Sequence, residues 1–412
     1  MEGGGAERYK IEEDLFSPDT YHRGIPHEAF TKLRDECPVY FQDEPEGRGF
    51  WMITKHEDVV FVSKSPHLFS SWRGGTNIQD YEEEDLSQIR FLMLNMDPPQ
   101  HAKYRRLVRK GFTPRMVSLM REKIRVQVKD IFDGIAQKGQ CDFVREVAAE
   151  LPLRVIADLM GVPQEDRTKL FDWTNRLIGF DDPEFQTTLE DGRFAAMEMW
   201  MYANDLAESR AGETGDDLVR VLLNAEIEGE KLTEMEFDAF FLLLGVAGNE
   251  TTRNAISGAL LTLLEHRDQF ELVKKNPELL PTAVEEMLRW VSPLIYFRRT
   301  ATQDVEIRGQ LIKEDEKVCV MYHSANRDED VFEDSQRFDV TRDPNPHLTF
   351  GIGEHFCLGS SLARMEVELL FEELIKRIPD VEIDGEVRRL RSNFINGIKE
   401  MPIRFTPEAE KG

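Results

Sequence analysis

Residues 237–264 form a very long apolar segment, which follows a capping-box pattern from Thr233 to Glu236. The segment is apolar nearly all round, and this is typical of a helix buried through the centre of a domain. Its most apolar part, residues 239–248, is far shorter than the roughly 20 residues that a membrane span needs. We therefore expect the chain to fold around one long buried helix and to have no membrane anchor.

A polar stretch interrupts this segment at its middle, in Ala247-Gly-Asn-Glu-Thr-Thr252. Burying the Glu250 carboxylate and two hydroxyls is costly unless these groups are hydrogen-bonded or used. Gly248, close to the two threonines, could also open or kink the helix and leave room for a water or a small ligand. The simpler alternative is a helix kink in which threonine bonds back to the helix backbone.

A second motif surrounds Cys357, in Phe350-Gly-Ile-Gly-Glu-His-Phe-Cys-Leu-Gly359, which we call the cysteine loop. Its glycines allow turns and a close approach of the backbone to a flat ligand. Residues 360–370 have helical periodicity, so Cys357 is expected at a helix N-terminus, where peptide dipoles favour a thiolate. The pattern indicates a thiolate metal ligand, against the alternative of a small buried hydrophobic residue.

The cysteine loop resembles the haem-binding loop of the cytochrome P450 monooxygenases, and every fixed position of Phe-Gly-x-Gly-x-His-x-Cys-x-Gly is present. The resemblance implies a mainly α-helical fold with a smaller β-rich lobe, and haem b (iron protoporphyrin IX) with Cys357 as axial ligand. It also implies that Ala247 and Gly248 lie against the haem. Thr251 would bind and protonate dioxygen, while Glu250 would relay protons from solvent.

Other positions match the groups that hold the cofactor and its surroundings in this family. Two haem propionates need cationic donors, which the resemblance assigns to His101, Arg105, Arg299 and His355, with Arg298 a competitor of Arg299. Phe350 belongs to the same set through the cysteine loop. Glu286 and Arg289 match a Glu-x-x-Arg ion pair of structural role, joined by Arg337 or, alternatively, by Arg342.

The charge of the chain is strongly acidic, with 52 Lys and Arg against 78 Asp and Glu and a net charge of −26. Such a surface argues against nucleic acid or anionic membrane as partners. Residues 101–115 are nevertheless basic and contain no Asp or Glu. We expect Arg106, Arg109 and Lys110 to point outward near the cofactor and to dock an acidic ferredoxin, which is reduced by a ferredoxin reductase.

The chain is expected to be one domain over residues 1–412, since no linker or repeat divides it. Strands are predicted at 38–42, 49–54 and 317–322, and mostly helices between about 100 and 290. Four scattered cysteines favour neither a disulfide framework nor a zinc site, and the opening residues have no apolar core that would mark a signal peptide. These features predict a cytoplasmic protein.

The pocket-lining segments are placed by resemblance, and their apolar side chains predict a hydrophobic substrate. They are Leu92, Ile178, Phe180, Leu294, Ile295, Phe394 and Ile395. Residues 180–185 look like a mobile lid. Residues 246–254 and 394–399 resemble the bacterial branch that hydroxylates alkyl chains of sterols, terpenoids and branched lipids. The implied activity is insertion of one oxygen atom of O2 into an unactivated C–H bond, with a peroxide-driven peroxygenase and a haem sensor or carrier as alternatives.

Overall fold

A computed structural model describes residues 9–45, 47–112, 114–185, 188–210, 217–227 and 229–409, although a few side chains inside these ranges are not described. Helices dominate, and most of them lie between residues 100 and 291 as predicted. The α-helices of this part of the chain are α1 (Pro18–His22), α2 (His27–Glu36), α3 (His56–Lys64), α4 (Glu83–Ile89), α5 (Gln100–Val108), α6 (Pro114–Ile135), α7 (Glu150–Met160), α8 (Arg167–Ile178), α9 (Leu189–Arg210), α10 (Leu218–Leu223), α11 (Glu234–Glu265), α12 (Arg267–Lys275), α13 (Leu280–Val291), α14 (Tyr322–Ala325) and α15 (Ser360–Arg377).

The strands are short, and they come from both ends of the chain. They are β1 (Val39–Gln42), β2 (Phe50–Ile53), β3 (Phe69–Ser70), β4 (Gln140–Asp142), β5 (Glu226–Ile227), β6 (Glu230–Lys231), β7 (Tyr296–Ala301), β8 (Val305–Ile307), β9 (Gln310–Ile312), β10 (Lys317–Met321), β11 (Glu382–Ile383), β12 (Arg388–Arg389), β13 (Ile398–Glu400) and β14 (Pro402–Arg404). The predicted pairing of the first two strands is confirmed, with Val39 opposite Ile53 in antiparallel register.

The largest sheet has the strand order β1-β2-β10-β7-β3, in which β10 runs parallel to β2 and every other pair is antiparallel. A three-stranded sheet has the order β11-β14-β4, and the remaining strands form two-stranded hairpins. Because the first strands pair with strands more than 200 residues later, the β-rich lobe closes only when both ends of the chain have folded. The prediction of a mainly helical protein with a smaller β-rich lobe is confirmed.

Helix α11 is the element around which the helical part is built. Its capping box is present, since the Thr233 hydroxyl accepts from the Glu236 N–H and the Glu236 carboxylate accepts from the Thr233 N–H at 2.7 Å. The helix is unbroken over 32 residues, with most of its side chains buried, and it packs against α7, α8, α9 and α13. No helix in the described ranges combines the length and the hydropathy needed to cross a membrane.

Candidate active site

The two sequence motifs meet at one internal cavity, which we call the main cavity. The space not filled by protein atoms is about 1460 Å³ when the part open to solvent is included. Helices α5, α7, α11 and α15 contribute to its lining together with the cysteine loop. The lining includes Met93, Leu94, His101, Arg105, Phe112, Val155, Ile156, Leu159, Leu243, Leu244, Ala247, Gly248, Thr251, Leu294, Phe297, Phe350, His355, Cys357 and Glu366.

The cysteine loop holds Cys357 just before α15. Gly351 and Gly353 have φ values of 67° and 78°, in the left-handed region that favours glycine. The Cys357 N–H donates to the Phe350 carbonyl at 2.8 Å, which closes the loop. Burial raises the pKa of the Cys357 thiol, while N–H groups of Gly359 and Ser360 directed at the sulfur oppose this rise. A thiolate here therefore fits best beside a cation, such as a metal ion.

Phe350 is held in place from behind the loop. The Arg364 guanidinium lies over its ring at 4.4 Å from the centroid and donates to Glu285 at 2.6 and 2.9 Å. Burial would raise the pKa of Glu285, but hydrogen bonds from His347 and Arg364 outweigh it and lower that pKa to about 2. The carboxylate is thus ionised and fixes the arginine that covers Phe350.

Two imidazoles, His101 and His355, lie side by side in the main cavity, with ring centroids 4.2 Å apart. The Nδ1 atom of His101 is buried and has no hydrogen-bond partner. Burial lowers the pKa of His101 to about 4, and the charges of Arg105 and Arg299 lower it further. Burial and Arg299 also lower the pKa of His355. The pair sits in a positive field that has room for an acceptor or an anion.

Arg299 and Arg105 supply that field. The buried Arg299 donates to the Arg298 carbonyl at 2.8 Å, and Arg105 donates to the Phe356 carbonyl at 2.5 Å. No carboxylate in the described ranges forms an ion pair with either side chain. Arg298 points elsewhere, to backbone carbonyls of residues 77–79 and to Asp80. An orphaned imidazole nitrogen and two unpaired arginines match a cofactor that carries carboxylates, as haem does.

Thr251 and Glu250 lie on different sides of α11. The Thr251 side chain lines the main cavity, and its hydroxyl donates to the Ala247 carbonyl at 2.9 Å, which is the back-bonded arrangement considered above. Glu250 is buried away from the cavity and ion-paired with Arg253. Burial raises the pKa of Glu250, although Arg253 and a hydrogen bond with Thr174 lower it in part. Protons passing between Glu250 and Thr251 must therefore cross through water or follow a side-chain rotation.

Ala247 and Gly248 form the small-residue surface of α11 that faces the main cavity. A Cβ atom at Gly248 would lie 2.7 Å from the Cδ1 atom of Ile156 in α7. A larger residue at this position would therefore have to displace the Ile156 side chain.

Glu286 and Arg289 form a fully buried ion pair, in which the Nε and Nη2 atoms of Arg289 each lie 2.7 Å from a carboxylate oxygen of Glu286. The third member of this group is Arg342 rather than Arg337. Its Nε atom lies 3.3 Å from a carboxylate oxygen of Glu286. Arg337 contributes only its backbone carbonyl, which accepts from Arg289 at 3.1 Å. The two arginines are five residues apart in an irregular segment, and the turn at residues 339–342 directs Arg342 inward.

The predicted substrate-pocket residues fall into two groups. Leu294 lines the main cavity, and half-buried Leu92 directly precedes the lining residues Met93 and Leu94. The others do not line it: Ile178, Ile295, Phe394 and Ile395 belong to a neighbouring hydrophobic cluster, and Phe180 is half-buried. Their role in substrate binding stays a prediction.

The predicted lid, residues 180–185, is tied to the C-terminal part of the chain. Asp182 is buried, forms an ion pair with Lys399 at 2.8 Å and accepts from the Arg391 N–H at 3.1 Å. Burial raises the pKa of the adjacent Asp181 to about 6. Charged contacts therefore anchor this segment to the C-terminal part of the chain in this conformation.

The predicted docking residues lie at the end of α5 and in the turn that follows it. Arg106 and Arg109 are exposed, and Arg105 in the same turn of helix contacts Phe356 of the loop. We call Arg106 and Arg109 the basic patch. The Lys110 side chain lies outside what the structure describes.

A buried carboxyl group of the cavity has no counterpart among the sequence predictions. Glu366 of α15 lines the main cavity, is buried, and has an Oε2 atom with no hydrogen-bond partner. Burial raises its pKa well above the ordinary value, so the side chain is held neutral. The only signal in the sequence is a glutamate amid apolar residues two turns after the cysteine loop.

Comparison with known proteins decides the family. A family model described as "Cytochrome P450" matches residues 16–390. The chain belongs to the cytochrome P450 family. The resemblance carried by the cysteine loop is thereby confirmed. This chain is a P450 monooxygenase, and proteins of this family bind haem and use redox partners.

Related P450 enzymes align with nearly the whole chain. A steroid C26-monooxygenase of Rhodococcus jostii (strain RHA1) is 42% identical, with 95% of this chain and 84% of the relative covered. Linalool 8-monooxygenase of Pseudomonas putida is 39% identical, with 96% and 99% covered. A methyl-branched lipid omega-hydroxylase of Mycobacterium tuberculosis (strain ATCC 25618 / H37Rv) is 41% identical, with 92% and 90% covered.

Solved P450 structures have the same fold. Mycobacterium marinum cytochrome P450 CYP268A2 in complex with pseudoionone gives a TM-score of 0.90 at 36% identity, with 98% of this chain and 100% of the other covered. CYP109E1 from Bacillus megaterium in complex with testosterone gives a TM-score of 0.81 at 33% identity, with 93% and 99% covered.

Proposed function

We propose that this P450 hydroxylates an unactivated C–H bond in the alkyl chain of a steroid, a terpenoid or a methyl-branched lipid. It does so with O2 and with electrons from NAD(P)H, delivered by a ferredoxin and its reductase. The relatives named for such substrates support this choice, since they align over more than nine-tenths of the chain.

The observation that carries the proposal is the composition of the main cavity. Apart from the cysteine loop, the cationic groups and Thr251, its lining is predominantly aliphatic and aromatic, with Ile156, Leu159, Leu243, Leu294 and Phe297 among it. An apolar cavity with few polar groups binds a hydrophobic molecule by burying its surface and gives little to bind a charged one. A flexible apolar substrate is therefore favoured over a polar metabolite.

Haem b fits the residues that surround the cavity. Cys357 would supply the axial thiolate, and His101, Arg105, Arg299 and His355 would bind the propionates through charge-assisted hydrogen bonds. When bound, haem supplies the oxygen chemistry, and a thiolate ligand favours O–O cleavage. Burial favours the uncharged form of Glu366, which is then a polar but neutral part of the lining.

Thr251 and Glu250 would transfer protons in this site. The Thr251 hydroxyl donates to the Ala247 carbonyl, and its oxygen can still accept a hydrogen bond. It could therefore accept a hydrogen bond from a donor in the cavity and pass a proton on. Glu250 is ion-paired behind the helix, and its raised pKa allows it to hold and release a proton at its carboxyl oxygens. Apolar side chains of the main cavity, such as Leu244 and Leu294, would limit the access of bulk water to Thr251.

The basic patch is the proposed docking surface for the ferredoxin. Arg106 and Arg109 are exposed in a chain of net charge −26, and they are near in sequence to Arg105, which donates to Phe356 of the cysteine loop. An acidic donor would be attracted to this surface and repelled by most of the rest. Electrons would thus enter near Cys357.

Turnover assays test the proposal and separate it from its alternatives. We expect hydroxylated product with O2, NADH, a ferredoxin and its reductase. Product formed with hydrogen peroxide but with no donor system would instead indicate a peroxygenase. No turnover under either condition would indicate a haem sensor or carrier.

Spectral titration tests the substrate class. A ligand that displaces water from the haem iron shifts its spin state, so each candidate can be titrated without turnover. We expect steroids, terpenoids or methyl-branched lipids to shift the spin state at micromolar concentrations, and short polar acids to cause no shift. Binding confined to polar acids would contradict the assignment.

A further inference from the structure

A second cavity lies along the C-terminal end of α11, outside the main cavity. Its lining includes Gly258, Thr262 and Glu265 of α11, whereas the main cavity is lined by the same helix only as far as Ala255. Thr262 is three turns beyond Thr251, or about 16 Å along the helix axis. Nothing in the proposed reaction uses this cavity.

Two arginines line this second cavity, Arg327 and Arg389. Arg327 is 4% exposed, its guanidinium stacks on the Trp290 ring at 3.6 Å, and its Nη1 atom donates to the Gln336 side chain at 3.2 Å. Arg389, on β12, has no side-chain hydrogen bond within the described ranges. Neither guanidinium forms an ion pair with a described carboxylate.

The nearby carboxylates do not neutralise these charges. Glu286 is close to Arg327 but is bound to Arg289 and Arg342. Glu265 is the one carboxylate in the described lining; it is exposed, and its charge offsets only in part the lowering of the Arg389 pKa by burial. The imidazoles of His27 and His266 complete the polar lining. Burial lowers the pKa of His27, and the charges of Arg327, His323, Arg34 and Arg389 lower it further.

A buried guanidinium without a counter-ion is costly, and stacking on an aromatic ring compensates only in part. In a protein of net charge −26, retaining two unpaired arginines at one polar cavity is best explained by an anion. Guanidinium groups bind phosphate and carboxylate oxygens in pairs. We propose that the second cavity is a binding site for a small phosphate- or carboxylate-bearing anion, held by Arg327 and Arg389.

The test uses thermal unfolding of the haem-loaded full chain, titrated with sodium phosphate or with sodium succinate against sodium chloride at matched ionic strength. We expect a saturable rise of the melting temperature with phosphate or with succinate, and the stronger of the two identifies the ligand source. Arg389→Gln should raise the half-saturating concentration at least about tenfold, as expected for the loss of charged hydrogen bonds. Arg389→Lys should retain part of the response.

The control is Arg404→Gln, which removes the same charge from an exposed arginine paired with Glu382 at 2.8 Å. It should leave the response at the wild-type value. Arg389 is suited to substitution because it is only half-buried, and circular dichroism of each variant confirms folding. A response that is absent in the wild type, or equal in the wild type and Arg389→Gln, would overturn the proposal.

Discussion

Thr251 and Ser257 make the same local bond, from a side-chain hydroxyl to the carbonyl four residues earlier in α11, but only Thr251 lines the main cavity. This pair separates chemistry from helix stability. Thr251→Ala removes the hydroxyl to which we assign proton transfer under the proposed function, so we expect product formed per NADH consumed to fall at least about tenfold. Ser257→Ala should leave this ratio unchanged. Product analysis with parallel NADH consumption measures both, and equal effects would refute the assigned role.

Asp181 gives a pH dependence at the predicted lid. Burial raises its pKa to about 6, so the folded state binds its proton more tightly than the unfolded state does. Its stabilising contribution is therefore fully present below the unfolded pKa, near 3.8, and is lost as pH rises through about 6.

The substitution Asp181→Asn removes the loss of stability that occurs as the pH rises. The variant should be more stable than the wild type by roughly 1–2 kcal/mol at pH 7.5, with the difference shrinking toward pH 4. Denaturant unfolding across this pH range measures it. Asp130→Asn, at an exposed position on α6, is the control and should show no such trend. A difference that did not change with pH would contradict the environment described for Asp181.

Among elements, the contact of α11 with α7 depends on Gly248. An added Cβ would lie 2.7 Å from Ile156 Cδ1, so Gly248→Ala should destabilise the fold by about 1–3 kcal/mol. Ile156→Val removes the clashing methyl group, and the double variant should recover more than half of that loss. Chemical denaturation of the four proteins gives the coupling energy.

Gly245→Ala is the matched control for this contact. Its Cβ would meet the end of the flexible Met199 side chain, which can move aside. The substitution should therefore cost less than Gly248→Ala. A larger cost, or no rescue by Ile156→Val, would show that the two helices do not pack as described.

Elements defined by pattern could be predicted from the sequence, whereas contacts set by tertiary packing could not. The capping box, the long helix and the first strand pair depend on local chemistry and periodicity, and the structure contains all three. Arg298 and Arg299 are neighbours on a strand and so point to opposite faces, but sequence alone does not say which face meets the cavity. Arg342 reaches Glu286 through a turn that has no periodic signal.

The substrate wall shows the same limit. Four apolar residues lie in segments that were expected to line the substrate pocket, yet they pack into a separate cluster. They are Ile178, Ile295, Phe394 and Ile395. Alternation along a strand and the path of a loop determine which apolar residue faces a cavity. Composition cannot separate these residues from Leu294, which does line it.

At the scale of the whole molecule, charge distribution governs the encounter with the electron donor. Reversing the basic patch with Arg106→Glu and Arg109→Glu should slow association with an acidic ferredoxin at least about tenfold at low ionic strength, and should flatten the dependence of the rate on salt. Stopped-flow reduction measures this. Reversal of two exposed cations elsewhere, Arg404→Glu with Arg193→Glu, controls for net charge. An equal slowing in the control would argue against a specific surface.

We expect Cys357 to bind the haem iron as a thiolate, and the absorption spectrum of the reduced, carbon-monoxide-bound protein reports on this bond. Cys37→Ser, at a half-buried cysteine that does not line the main cavity, should keep the wild-type spectrum. Cys357→Ser should lose the red-shifted band. We predict the red-shifted Soret band of a thiolate-ligated haem for the wild type. An unshifted band in the wild type would show that Cys357 does not bind the iron as a thiolate.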